Sequence, residues 1–105
     1  MSAARAFDRA YSARKVPGKK AEALFWAGRS LEYADDHYGA IARYRELVGL
    51  YPDNYWVAES LYRIVLVARQ ADAGESAGDA YRQLLQDFPE NSWTQKAMEL
   101  PAATQ

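Results

Sequence analysis

No cysteine occurs anywhere in the chain, and His37 is its single histidine. Disulfides and thiolate sites are therefore excluded, and a zinc site is starved of its usual nitrogen and sulfur ligands. No apolar run approaches the ~18 residues that a membrane-spanning helix needs. The first residues, Met1-Ser2-Ala3-Ala4-Arg5, lack the apolar stretch and cleavage site of a secretion signal. The chain thus reads as cytoplasmic as it stands, or as periplasmic if it is a fragment of a bacterial envelope protein. Glycine-rich phosphate loops, nucleophile elbows and paired-carboxylate motifs are missing as well, so neither catalysis nor a cofactor nor a metal is expected.

What the chain does have is bulk. Three Trp, eight Tyr and three Phe in 105 residues give ample material for a core. Charge is unevenly spread: residues 1–20 carry six Lys and Arg against Asp8 alone, while the remainder carries seven basic and thirteen acidic residues. A basic lead-in on an acidic body is a solvated helix face or a steering surface for an acidic partner. A pI near 5.8 is far from the footprint of a nucleic-acid binder.

Displaced by 37 residues, the chain matches itself without a gap. Ala21-Glu22-Ala23-Leu24-Phe25 falls on Ala58-Glu59-Ser60-Leu61-Tyr62, Ala40 on Ala77, Tyr44-Arg45 on Tyr81-Arg82, and Leu47 on Leu84. Tyr51-Pro52-Asp53-Asn54 falls on Phe88-Pro89-Glu90-Asn91, and Trp56 on Trp93. Backwards, Ala40 falls on Ala3 and Tyr44 on Phe7. Such self-similarity marks a repeat architecture.

Each unit reads as two helices. Leu24, Ala27, Gly28 and Leu31 form one apolar stripe, and Ala40, Ile41, Tyr44, Leu47 and Val48 another. Asp35-Asp36-His37 is the polar turn between them. Pro52 closes the unit, because proline lacks a donor and disfavours helix before it. Asp53 or Asn54 is the expected cap of the next helix. Leu61, Ile64, Val65 and Ala68, then Ala77, Tyr81, Leu84 and Leu85, repeat both stripes, with Gly74 marking the second turn. Gly28, Ala27 and Ala40 let two backbones approach closely beside Tyr44. A large residue at Ala40 or Ala77 should overpack that contact, at ~1–3 kcal/mol.

Residues 21–52, with Leu24, Ala27-Gly28, Ala40, Tyr44 and Pro52 in register, resemble a tetratricopeptide repeat, and residues 58–89 resemble a second. The resemblance implies an all-α, right-handed superhelix of about five antiparallel-packed helices in a single domain over residues 1–105. Residues 2–15 would be a half-unit helix, and residues 92–100 the start of a further one. The connectors, with Tyr-Pro or Phe-Pro followed by Asp/Glu-Asn and an aromatic, are similar to those of a bacterial cell-envelope subgroup, of the outer-membrane-assembly lipoprotein and Tol–Pal coordinator type.

The family resemblance also implies a function: a scaffold or adaptor that holds a peptide or helix of another protein in a concave groove lined by the first helix of each pair. Carried onto this chain, the lining is Glu22, Phe25, Arg29, Glu32 and Tyr33 from the first repeat. The second contributes Glu59, Tyr62, Leu66, Arg69 and Gln70. Phe25, Tyr33, Tyr62 and Leu66 would form an apolar floor, and Arg29 and Arg69 would fork to a carboxylate or carbonyl. The Lys/Asn clamp of chaperone-tail binders is replaced by Phe25 and Arg29. Trp56 and Trp93, at equivalent places, are expected to pack neighbouring repeats together. Two alternatives stand beside this reading. Trp26-Ala27-Gly28-Arg29 is similar to the non-catalytic superhelix of lytic transglycosylases. A chain that starts and stops mid-unit, like a fragment of a longer array, also suits pairing with a second copy through its unfinished ends.

Overall fold

The computed structural model describes the backbone of residues 3–101 and the side chains of residues 18–101. Five helices follow one another: α1 (Ala3–Tyr33), α2 (His37–Leu50), α3 (Val57–Gln70), α4 (Gly74–Asp87) and α5 (Ser92–Met98). No strand occurs among the described residues. Consecutive helices pack as antiparallel neighbours, α1 on α2 and α3 on α4, while α2 also packs on α3 and α5 on both α3 and α4. This is an all-α tetratricopeptide-like helical repeat.

The turns repeat as faithfully as the sequence. Asp35 and Asp72, 37 residues apart, both adopt left-handed backbone, with φ of 61° and 60°. Asp tolerates this conformation better than most residues because its short polar chain bonds locally. Around each, the chain reverses by the same bonds: Asp36 N–H to Leu31 C=O at 2.8 Å, and Ala73 N–H to Ala68 C=O at 2.7 Å. Asp36 then caps α2 by accepting from the Gly39 N–H at 2.9 Å. The second turn is therefore made at Asp72, and Gly74 is already the first residue of α4 rather than the turn itself.

The inter-repeat connectors are equally alike. Asn54 Oδ1 accepts from the Trp56 N–H at 2.8 Å, and Asn91 Oδ1 from the Trp93 N–H at 2.8 Å. Asn91 is the N-cap of α5, but α3 begins only at Val57 after Trp56. The expectation of Asp53 or Asn54 as the cap of α3 is thus corrected: Asn54 fixes a turn two residues ahead of the capping position.

The half-unit helix expected over residues 2–15 is not a separate element either. α1 runs unbroken through Pro17 and Gly18 into the first helix of the first repeat. The junctions that lead into α2, α3 and α5 each carry an Asp or Asn whose side chain accepts from a backbone N–H. Between Ala13 and Arg29 there is no Ser, Thr, Asp or Asn to start a new helix. Ala, Arg and Lys, which are strong helix formers, fill much of the interval instead.

The core runs continuously through both repeats. Tyr44, Phe25, Leu47, Leu61, Ile64 and Leu84 are its largest fully buried side chains, with Ala40 and Ala77 also buried between paired helices. A Cβ placed on Gly28 would lie 2.5 Å from Tyr44 Cε1, so the Tyr44 ring rests on the α1 backbone. Glycine here serves close approach. At the end of the second repeat the Thr94 hydroxyl, fully buried, donates to the Phe88 carbonyl at 2.6 Å and ties α5 to the preceding connector.

Candidate interaction face

Three pairs of side chains link the first helices of successive units, two at the α1–α3 boundary and one between α3 and α5. At one end Phe25 stacks on Trp56, with ring centroids 4.5 Å apart and planes at 29°. The same pairing recurs one repeat later, where Tyr62 meets Trp93 at 5.3 Å. Each tryptophan folds over the aromatic residue on the first helix of the preceding repeat, Trp56 over Phe25 of α1 and Trp93 over Tyr62 of α3. Trp56 and Trp93 pack adjacent repeats together, as their equivalent positions imply.

The third pair is ionic. Arg63 of α3 meets the Glu32 carboxylate of α1 side-on, Nε donating to Oε2 at 3.0 Å and Nη2 to Oε1. The Tyr44 hydroxyl of α2 donates to the same Oε2. One carboxylate thereby joins three helices. Burial alone would push the Glu32 carboxyl up, but bonds from Arg63 and Tyr44 and the charges of Arg63 and Arg29 outweigh it, holding it below its ordinary value. The bond to Glu32, opposed by burial, raises Arg63. Burial first, then the bond and charge of Glu32, push the Tyr44 phenol up.

These contacts divide the ten residues expected to line a groove. Phe25 is corrected outright: it is 1% exposed beneath Trp56 and belongs to the core. Glu32 is committed to Arg63 and Tyr44. Arg69 Nη2 donates to the backbone carbonyl of Pro101 in its own chain. Tyr62 is half-buried against Trp93, and Leu66 is half-buried on α3. Glu22, Tyr33 and Gln70 are open to solvent. Arg29 remains, its Nη2 donating to the Tyr33 hydroxyl at 3.2 Å and its guanidinium 5.4 Å from the Tyr33 ring. Its buried Nε has no hydrogen-bond partner and lies 3.9 Å from Glu32. Glu59 is half-buried and forms no ion pair among the described residues. Burial raises its carboxyl above the ordinary value although Arg63 and Arg29 pull the other way.

Two residues of this face went unrecognised in the sequence, Trp26 and Arg63. Trp26 is half exposed, edge-on to both Phe25 and Trp56. The signal was present in the spacing. Glu22, Trp26, Arg29 and Tyr33 form one stripe on α1, as do Glu59, Arg63, Leu66 and Gln70 on α3. Family correspondence favoured Phe25 over its neighbour; the core took Phe25 and left Trp26 outside. Tyr55, 5.4 Å from Trp56, extends the aromatic surface.

In the turn at His37 the Asp36 carboxylate is occupied with capping α2, and no group of three His, Asp or Glu is placed to hold a metal among the described residues. No helix of the described residues is long and apolar enough to cross a membrane.

Stacked helical hairpins with matching turns define a helical-repeat architecture. A family model for the tetratricopeptide repeat matches residues 22–54, which take in the end of α1, α2 and the start of the connector. The match supports the tetratricopeptide repeat family for this chain, and repeats of that family generally mediate protein–protein interaction. No curated protein and no solved structure matches the chain.

Proposed function

We propose that the chain is a scaffold or adaptor that holds a segment of another protein against the α1–α3 face. The supporting observation is the state of Arg29. Its natural counter-ion, Glu32, is engaged by Arg63, so the Arg29 guanidinium is left with a weak contact to Glu32, a tyrosine hydroxyl and an unpartnered buried Nε. Trp26 and Tyr33 stand exposed on either side of it along α1. An aromatic pair flanking an underused arginine suits a peptide or helix with apolar anchors and a carboxylate between them, and Trp, Tyr and Arg are the residues in which interface energy concentrates.

The aromatic connectors Tyr51–Trp56 and Phe88–Trp93 support placing the chain in the cell-envelope subgroup of the family. The test is partner capture from bacterial envelope and cytosolic fractions by the wild-type chain and by a Trp26→Ala/Arg29→Ala variant. Loss of the captured protein at unchanged helical circular dichroism supports the face. Equal capture by both proteins would refute it.

A further inference from the structure

The two repeats differ in what covers them. On the second repeat, Val57, Ser60, Leu61, Ile64 and Ala80 are all buried, at 0–1% exposure, and α2 packs across that side, with Arg45 reaching the Ser76 carbonyl at 3.4 Å. Thirty-seven residues earlier the same positions are Lys20, Ala23, Leu24, Ala27 and Arg43. There they line an open groove of about 360 Å³ between α1 and α2, together with Glu46, Leu50 and Tyr51. Leu50, at its end, is 59% exposed.

The chain itself shows what fits such a surface, a helix of the α2 type. The residues that α2 buries are Ala40, Ile41, Tyr44, Leu47 and Val48. One repeat earlier these positions are Ala3, Ala4, Phe7, Ala10 and Tyr11, apolar at every place. Residues 3–14 are thus a second α2 in sequence. They cannot lie in the groove of their own chain, because α1 is one continuous helix from Ala3 to Tyr33 and carries them away along its axis.

We infer that residues 3–14 of one copy occupy the α1–α2 groove of a second copy, and that the exchange is reciprocal. A two-fold dimer of this kind closes both grooves at once and leaves neither surface for further growth. Each copy supplies the helix that its partner's first repeat lacks. The α1–α3 face stays outside the exchange.

Sedimentation equilibrium of the full chain over a concentration series tests this, with Phe7→Glu on the inserted segment and Leu50→Glu on the groove. A dimer is expected, and each substitution should weaken it roughly tenfold or more. Leu50 is largely exposed, so its variant keeps the hairpin intact and decides the matter even if Phe7→Glu loses helix. Trp26→Ala, on the other face, should leave the dimer unchanged, which separates this inference from the proposed function. A monomer at every concentration would overturn it, whether the groove were filled by the chain's own segment or left open. So would a dimer indifferent to Leu50→Glu.

Discussion

Glu32 and Arg63, thirty-one residues apart, meet side-on across the boundary between the two repeats, and Tyr44 donates to the same carboxylate from a third helix. The arrangement is largely screened from solvent, with 13% of the Glu32 side chain and 20% of the Arg63 side chain accessible. Glu32→Gln keeps the shape but leaves Arg63 without its counter-charge, and should cost about 1–3 kcal/mol at neutral pH. Because the folded carboxyl lies below its ordinary value of 4.5, the ionised form stabilises the fold above that value. This contribution is lost as pH falls through the folded pKa. Urea melts at pH 7 and pH 3 should therefore show the gap between wild type and variant narrowing in acid. A gap that stays constant would mean that the ion pair adds nothing.

Gly28 and Gly78 sit in helices of successive repeats yet should respond oppositely to alanine. At Gly28 the new Cβ would lie 2.5 Å from a tyrosine ring that is itself wholly buried, so the hairpin must open, at about 1–3 kcal/mol. At Gly78 the nearest atom is the tip of Arg82, at 3.5 Å, and the helix gains the better propensity of alanine, about 0.5–1 kcal/mol. Thermal unfolding of the two variants should shift in opposite directions.

The left-handed turns offer a third check. Asp72→Gly removes the steric cost of positive φ and should be neutral or stabilising by up to about 1 kcal/mol, whereas Asp72→Val should destabilise by about 1–2 kcal/mol. The same pair at Asp35 should behave alike if the two turns are equivalent. A marked asymmetry between positions 35 and 72 would show that local context, not the shared backbone, sets the cost.

Most of the fold is legible in the residues because a repeat states each contact twice. Ala40 and Ala77, Tyr44 and the two connector tryptophans announced helix pairing and repeat stacking by recurring at one interval. The capping of α3 was less legible, since Asn54 and Asn91 make the same bond to a backbone N–H while only the second heads its helix directly. The unbroken α1 depended on an absence, the lack of a capping side chain near Pro17. The candidate face was half legible. Arg29 and Tyr33 fall on one stripe of α1 by their spacing, but Phe25 and Trp26 are adjacent aromatics, and only packing decides which one the core takes. Arg63 has no charged equivalent in the first repeat, so the repeat pattern gave it no emphasis.

Trp56 closes over Phe25 and so couples the core to the face proposed for a partner. Trp56→Ala strips the cover from a fully buried ring and should cost about 2–4 kcal/mol, somewhat less than for a fully buried tryptophan because Trp56 is half-buried. Trp56→Phe keeps an aromatic surface on Phe25 and should cost less than half as much. Trp93→Ala uncovers only Tyr62, which is already half-buried, so its cost should be smaller than that of Trp56→Ala. Chemical denaturation of the three variants gives the order directly. If Trp93→Ala proved the most damaging, the connector tryptophans would not act as covers, and repeat stacking would rest on the alanine and leucine contacts beneath them.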